Sequence, residues 1–123
     1  MRAKILLALI AAGCVWISHA AAQDAALIQA ARKETKVVWH TSLALPSSTA
    51  IAHYFQNKYK GIEVEVHRNG SQLVLQRFMQ EASAGINNAD LIHTSDAGNF
   101  ELLKDKGMLL KFTPQGVAGF PDG

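Results

Sequence analysis

Apolar and polar positions follow two different rhythms along the chain, and the switches between them divide it into short units. Val37, Val38 and Trp39 form an unbroken apolar run that empties into the polar trio His40, Thr41 and Ser42. A strand covered on both faces reads as such a run, and open α/β sheets bind ligands at the carboxyl ends of their strands. The stretch from Lys36 to Ser42 is therefore predicted to be the first buried strand of a parallel sheet, ending in a ligand-facing turn.

Helical spacing and strand alternation then take turns. Asp24 can cap a helix to about Lys33, with Leu27, Ile28 and Ala31 on one face. After the turn from Thr41 to about Leu45, a helix to Lys60 would bury Ile51, Tyr54, Phe55 and Tyr59, with Pro46 in its first turn and Gly61 stopping it. Ile62, Val64 and Val66 alternate with Glu63, Glu65 and His67, the pattern of an edge strand with one well-covered face. Asn69 and Gly70 make a turn, Ser71 caps the next helix, and Val74, Leu75, Phe78, Met79 and Ala82 form its apolar stripe up to Gly85. A third strand runs from Ala89 or Asp90 through Leu91 and Ile92 to His93 and opens into Thr94, Ser95 and Asp96. A last helix faces Phe100 and Leu103 inward, carries Lys104 and Lys106 near its end and stops at Gly107; Met108 to Phe112 is predicted to be a short strand. Strand, hydroxyl-bearing turn and helix thus repeat. The predicted class is α/β, an open and mostly parallel sheet with helices on both faces and right-handed crossovers.

Composition changes this picture at the N-terminus. Arg2 and Lys4 precede an apolar core from Ile5 to Ile17 and a small-residue patch from Ala20 to Ala22, so residues 1–22 read as a cleaved signal peptide, cut after Ala20 or Ala22. The core is short for a membrane span. Ala11, Ala12, Gly13 and Cys14 resemble a lipoprotein box, but Val15, Trp16 and Ile17 continue the apolar core past the cysteine, which argues against acylation at Cys14. Cys14 is the one cysteine, so the mature chain would hold no disulfide and no thiol chemistry. Removing Arg2 and Lys4 from twelve basic side chains leaves ten against ten acidic, which points away from nucleic acid and from anionic membranes.

The chemistry available lies in the three strand-end turns. Each points amide groups at the start of a helix, where partial positive charge and hydroxyl donors suit an oxyanion, although capping alone also asks for Ser, Thr and Asp there. His40, His67 and His93 each end a strand, but no zinc-type spacing accompanies them, and neither a metal nor a cofactor is predicted. His93, Ser95 and Asp96 offer the residue types of a hydrolase. Neighbours on one turn do not form a relay in which base and nucleophile face each other, and no GxSxG, GxGxxG or GKS/T motif occurs, so no catalytic residue is predicted.

The segments Val37-Val38-Trp39-His40-Thr41-Ser42-Leu43, Phe55-Gln56-Asn57-Lys58-Tyr59-Lys60-Gly61-Ile62 with Val64 and Val66, Gly70-Ser71, Ala89-Asp90-Leu91-Ile92 and Leu102-Leu103-Lys104-Asp105-Lys106-Gly107 resemble bacterial extracellular solute-binding proteins of ABC importers, in the branch named for ferric iron. The resemblance implies a hinged, two-lobed periplasmic receptor of the type II class, monomeric, which captures a solute and delivers it to an ABC permease in the inner membrane. Residues 23–123 would be an incomplete N-terminal lobe, the second lobe being absent. Carried over position by position, the substrate-binding residues are His40, Thr41, Ser42, Gly70, Ser71, Thr94, Ser95 and Asp96. Iron-binding relatives place a histidine in the first turn and a glutamate in the third, where this chain has Leu43-Ala44 and Ser95-Asp96. Both a ferric solute and a phosphate-bearing organic anion are admitted. The alternatives are a small secreted α/β hydrolase-like enzyme and a fragment of a binding protein without function of its own.

Overall fold

The computed structural model describes residues 18–114; the apolar run from Ile5 to Ile17 and Cys14, on which the expectation of a signal peptide rests, lie outside the described residues. The elements are α1 (Ser18–Glu34), β1 (Lys36–Thr41), α2 (Leu45–Lys58), β2 (Glu63–Arg68), α3 (Ser71–Ser83), β3 (Leu91–His93) and α4 (Ala97–Asp105). The three strands form one parallel sheet in the order β2-β1-β3, an open α/β arrangement. Among the described residues no helix is long and apolar enough to cross a membrane.

β1 takes the centre and is covered on both sides: Val38, Trp39, His40 and Thr41 are all buried. Parallel register sorts its neighbours. Val37, Trp39 and Thr41 share a face with Val64, Val66 and Leu91, towards α2, while Val38 and His40 share the other with Glu65, His67 and Ile92. Among the described residues β2 is an edge strand, as its alternation predicts. Helix ends also follow expectation. Pro46 lies in the first turn of α2, and Gly61, Gly85 and Gly107 follow helices in the left-handed region, with φ of 92°, 71° and 66°.

Four expectations are corrected. Among the described residues the first helix spans Ser18–Glu34, so Asp24 lies within it rather than at its start; the alanines around it are the strongest helix formers and carry the helix through. On α2 the buried positions are Ser48 and Ala52, with Phe55 and Tyr59 half-buried, while Ile51 and Tyr54 are exposed. The helix is rotated so that its small residues face the strands, and the Ser48 hydroxyl is satisfied by donating to the Leu45 carbonyl at 3.1 Å. Ser71 is the first helical residue of α3, not its cap, because Gly70 occupies the cap position. Met108 to Phe112 is not a strand: a strand exists only by pairing, and these residues have no ladder partner among the described residues.

Candidate functional site

Register places the carboxyl ends of the strands level. Thr41 pairs with Arg68 on one side and His93 on the other, so the last residues of β1, β2 and β3 form one row. Beyond that row the three turns lie side by side and are laced together. The Ser42 amide donates to the His93 carbonyl at 3.0 Å, the Asn69 amide to the Thr41 carbonyl at 3.0 Å, and the Ser95 amide to the Ser71 hydroxyl at 3.1 Å.

The eight residues carried over from the resemblance take different positions. Thr41 is fully buried, and its hydroxyl is committed: it accepts from the Leu43 amide at 3.1 Å and shares a hydrogen bond with His93 Nδ1 at 3.1 Å. Thr94 is buried too. Its hydroxyl donates to the Asp96 carbonyl at 3.0 Å and accepts from the Asp96 amide and from Asn99 Nδ2, both at 3.3 Å. These threonines shape the turns. Asp96 caps α4 by accepting from the Gly98 amide at 2.9 Å, and its other oxygen lies 3.5 Å from Gln72 Nε2. His40 does not reach the row of turns with its ring, which is buried on the α3 face; burial holds its pKa below the ordinary value of 6.5, since an imidazolium there would lose its hydration.

Spare capacity remains at Ser42, Gly70, Ser71 and Ser95. The Ser42 hydroxyl is buried and has no partner among the described residues. A Cβ on Gly70 would meet nothing within 4 Å, so open space lies before α3. α2 and α3 both start without a side-chain cap, at Ala44 and Gly70, whereas α4 is capped by its own carboxylate. First-turn amides that no side chain satisfies are donors for an anion. Asp96 adds negative charge beside α4, so the anion-favouring part of the edge is that between the starts of α2 and α3.

Three contributors escaped the sequence reading. Arg68 ends β2 in the same row, exposed, with Nε donating to the Leu43 carbonyl at 3.3 Å; a cation at a strand end was the available signal. Asn99 fastens Thr94 within the turn that leads into α4, and Gln72 reaches Asp96 from α3, a contact that only the tertiary structure creates. The hydrolase arrangement draws no support from the partners found: His93 turns to Thr41, and Ser95 turns to Ser71.

No protein-family profile matches the chain, and no curated protein does. A solved structure, that of iron-bound HitA from Pseudomonas aeruginosa, matches with a TM-score of 0.59 at 24% identity over 68% of this chain. The match spans 26% of the HitA chain. At that identity the likeness is one of fold: the α/β layout seen here recurs in part of HitA.

Proposed function

We propose that this chain belongs to the solute-binding component of a bacterial ABC uptake system, exported to the periplasm, capturing an anionic solute for a permease in the inner membrane. The observation that carries the reading is the level edge of the sheet, where two uncapped helix starts, the unpartnered Ser42 hydroxyl and the Ser71–Ser95 pair converge. The likeness of fold to HitA, whose structure is described as iron-bound, supports a binding role and keeps a ferric solute among the candidates. In this reading residues 23–123 form part of a first lobe, and a second lobe closes over the same edge. Ser42, Ser71, Ser95 and the amides at Gly70 would hold the solute, Arg68 would supply charge, and Thr41, Thr94 and Asp96 would hold the turns in shape.

Directed hydrogen bonds to a charged ligand group contribute roughly 1.5–3 kcal/mol each, or about ten- to a hundredfold in affinity. Calorimetric titration of this chain carried with its second lobe, using inorganic phosphate, a sugar phosphate and ferric citrate, tests the proposal. Ser42→Ala and Ser95→Ala should each weaken whichever binds by that factor while the protein stays folded. Folded two-lobed protein that binds none of the three, or variants with unchanged affinity, would refute it.

A further inference from the structure

On the face of the sheet away from α2 lies a polar cluster that the strand-end site does not use. His40 is 1% exposed, and neither of its ring nitrogens has a partner among the described residues. Its ring meets that of His67 edge-on, with centroids 5.0 Å apart, the two residues being paired across β1 and β2. His67 Nε2 lies 2.8 Å from Glu65 Oε1, and Arg77 Nη1 lies 3.3 Å from His67 Nδ1. A guanidinium only donates, so Nδ1 accepts and Nε2 carries the hydrogen given to Glu65. Arg77 is in turn bound to Glu81 at 2.7 Å, and the second Glu81 oxygen is buried without a partner. Lys36 takes the other oxygen of Glu65 at 2.9 Å. β3 adds only the apolar Ile92 to this row, and Arg32 of α1 is engaged with the Lys60 carbonyl ahead of β2.

We propose that His40 is a proton-operated latch: neutral, it lets α3 lie against the sheet, and charged, it releases α3 together with Gly70 and Ser71 at the strand-end edge. The ring sits where water does not reach, and a proton added to it would gain no hydrogen bond and would face the Arg77 guanidinium. A buried charge without a partner is the costly case. Glu81 and Glu65 pull the other way, Glu81 being held by Arg77 through one oxygen and Glu65 by Lys36 and His67, and burial outweighs them. The sign follows: the folded state depresses the histidine pKa, so the open state binds more protons. Closure is complete above the ordinary value of 6.5 and weakens as pH falls below it. Because α3 carries Arg77 and Glu81 while His67 belongs to the sheet itself, lifting α3 is the shortest route to hydration, a local opening rather than global unfolding. The consequence, an edge that loosens its hold on solute in acid, rests on the proposed function; the latch itself is tested without solute.

Amide hydrogen exchange on the full chain, expressed as protection corrected for the intrinsic pH dependence, compares α3 with α2 between about pH 7.5 and about pH 5.5. Protection in α3 should fall below pH 6.5, approaching roughly tenfold per pH unit, the limit for one proton, while α2 stays level. His40→Leu should abolish the fall. If His40→Leu does not fold, His40→Gln, polar but not titrating, replaces it. A level α3 in the wild type, equal losses in both helices, or a fall that persists in the folded variant would each overturn the latch.

Discussion

Ser71 and Ser95 meet hydroxyl to hydroxyl at 2.7 Å although 24 residues separate them, and the Ser71 oxygen also accepts the Ser95 amide at 3.1 Å. The contact ties the first residue of α3 to the turn after β3. It makes Ser71 a tertiary clasp between two crossovers, where its place before a helical run had predicted a local cap.

The first prediction concerns that clasp. Ser71→Ala and Ser95→Ala should each cost about 0.5–1.5 kcal/mol, and the double variant should cost less than the two losses together because both remove one shared bond. Urea unfolding of the wild type, the singles and the double supplies the cycle; strictly additive losses would mean that the two hydroxyls act independently.

Asp90 extends the pairing of β1 with β3 beyond the last backbone ladder bond. Its carboxylate accepts from the Val38 amide at 2.8 Å while its own amide donates to the Val38 carbonyl at 3.0 Å. Asp90→Ala would strand a central-strand amide and should cost about 1–3 kcal/mol; Asp90→Asn keeps an acceptor and should cost less. Equal losses in thermal melts of the two would assign the effect to charge.

At acid pH a second group, separate from His40, takes over. Hydrogen bonding to Lys36, then to His67, holds the Glu65 carboxyl below its ordinary value of 4.5, so its contribution is present above that value and lost as pH falls through the depressed one. Lys36 shows the mirror case, raised above 10.5 by Glu65, with its contribution lost as pH rises through the raised value. Lys36→Met should therefore flatten the stability profile below pH 4.5 while leaving the limb below 6.5 in place. Added salt should shrink the Glu65 limb, since the pair is half exposed. Unfolding titrations at two ionic strengths would show both effects.

Adjacent leucines on α4 should behave differently. Leu103 is 0% exposed and Leu102 41%. Leu103→Ala should cost about 2–5 kcal/mol by leaving a cavity, and Leu102→Ala under about 1 kcal/mol. Comparable losses in chemical denaturation would place the core of α4 elsewhere.

Local signals alone determined much of this protein. The Val37–Trp39 run predicted a doubly covered strand, the alternation of Ile62 to His67 predicted an edge, and Gly61, Gly85 and Gly107 marked helix ends, because burial period and left-handed backbone are properties of short stretches. The strand-turn-helix repeat likewise predicted a parallel sheet whose turns share an edge. Tertiary structure alone decided which face each group occupies and what it meets there. The inward face of α2 depends on how closely Ser48 and Ala52 let the helix approach the strands, so Ile51 and Tyr54, the larger apolar residues, were left outside. Met108 to Phe112 carries the composition of a strand without a partner to pair with. His40 stood in the sequence beside Thr41 and Ser42 as an equal candidate for the site. In the sheet, successive side chains point to opposite faces, and that alternation sent its ring under α3, beside His67 and Arg77, where no reading of neighbours along the chain would place it.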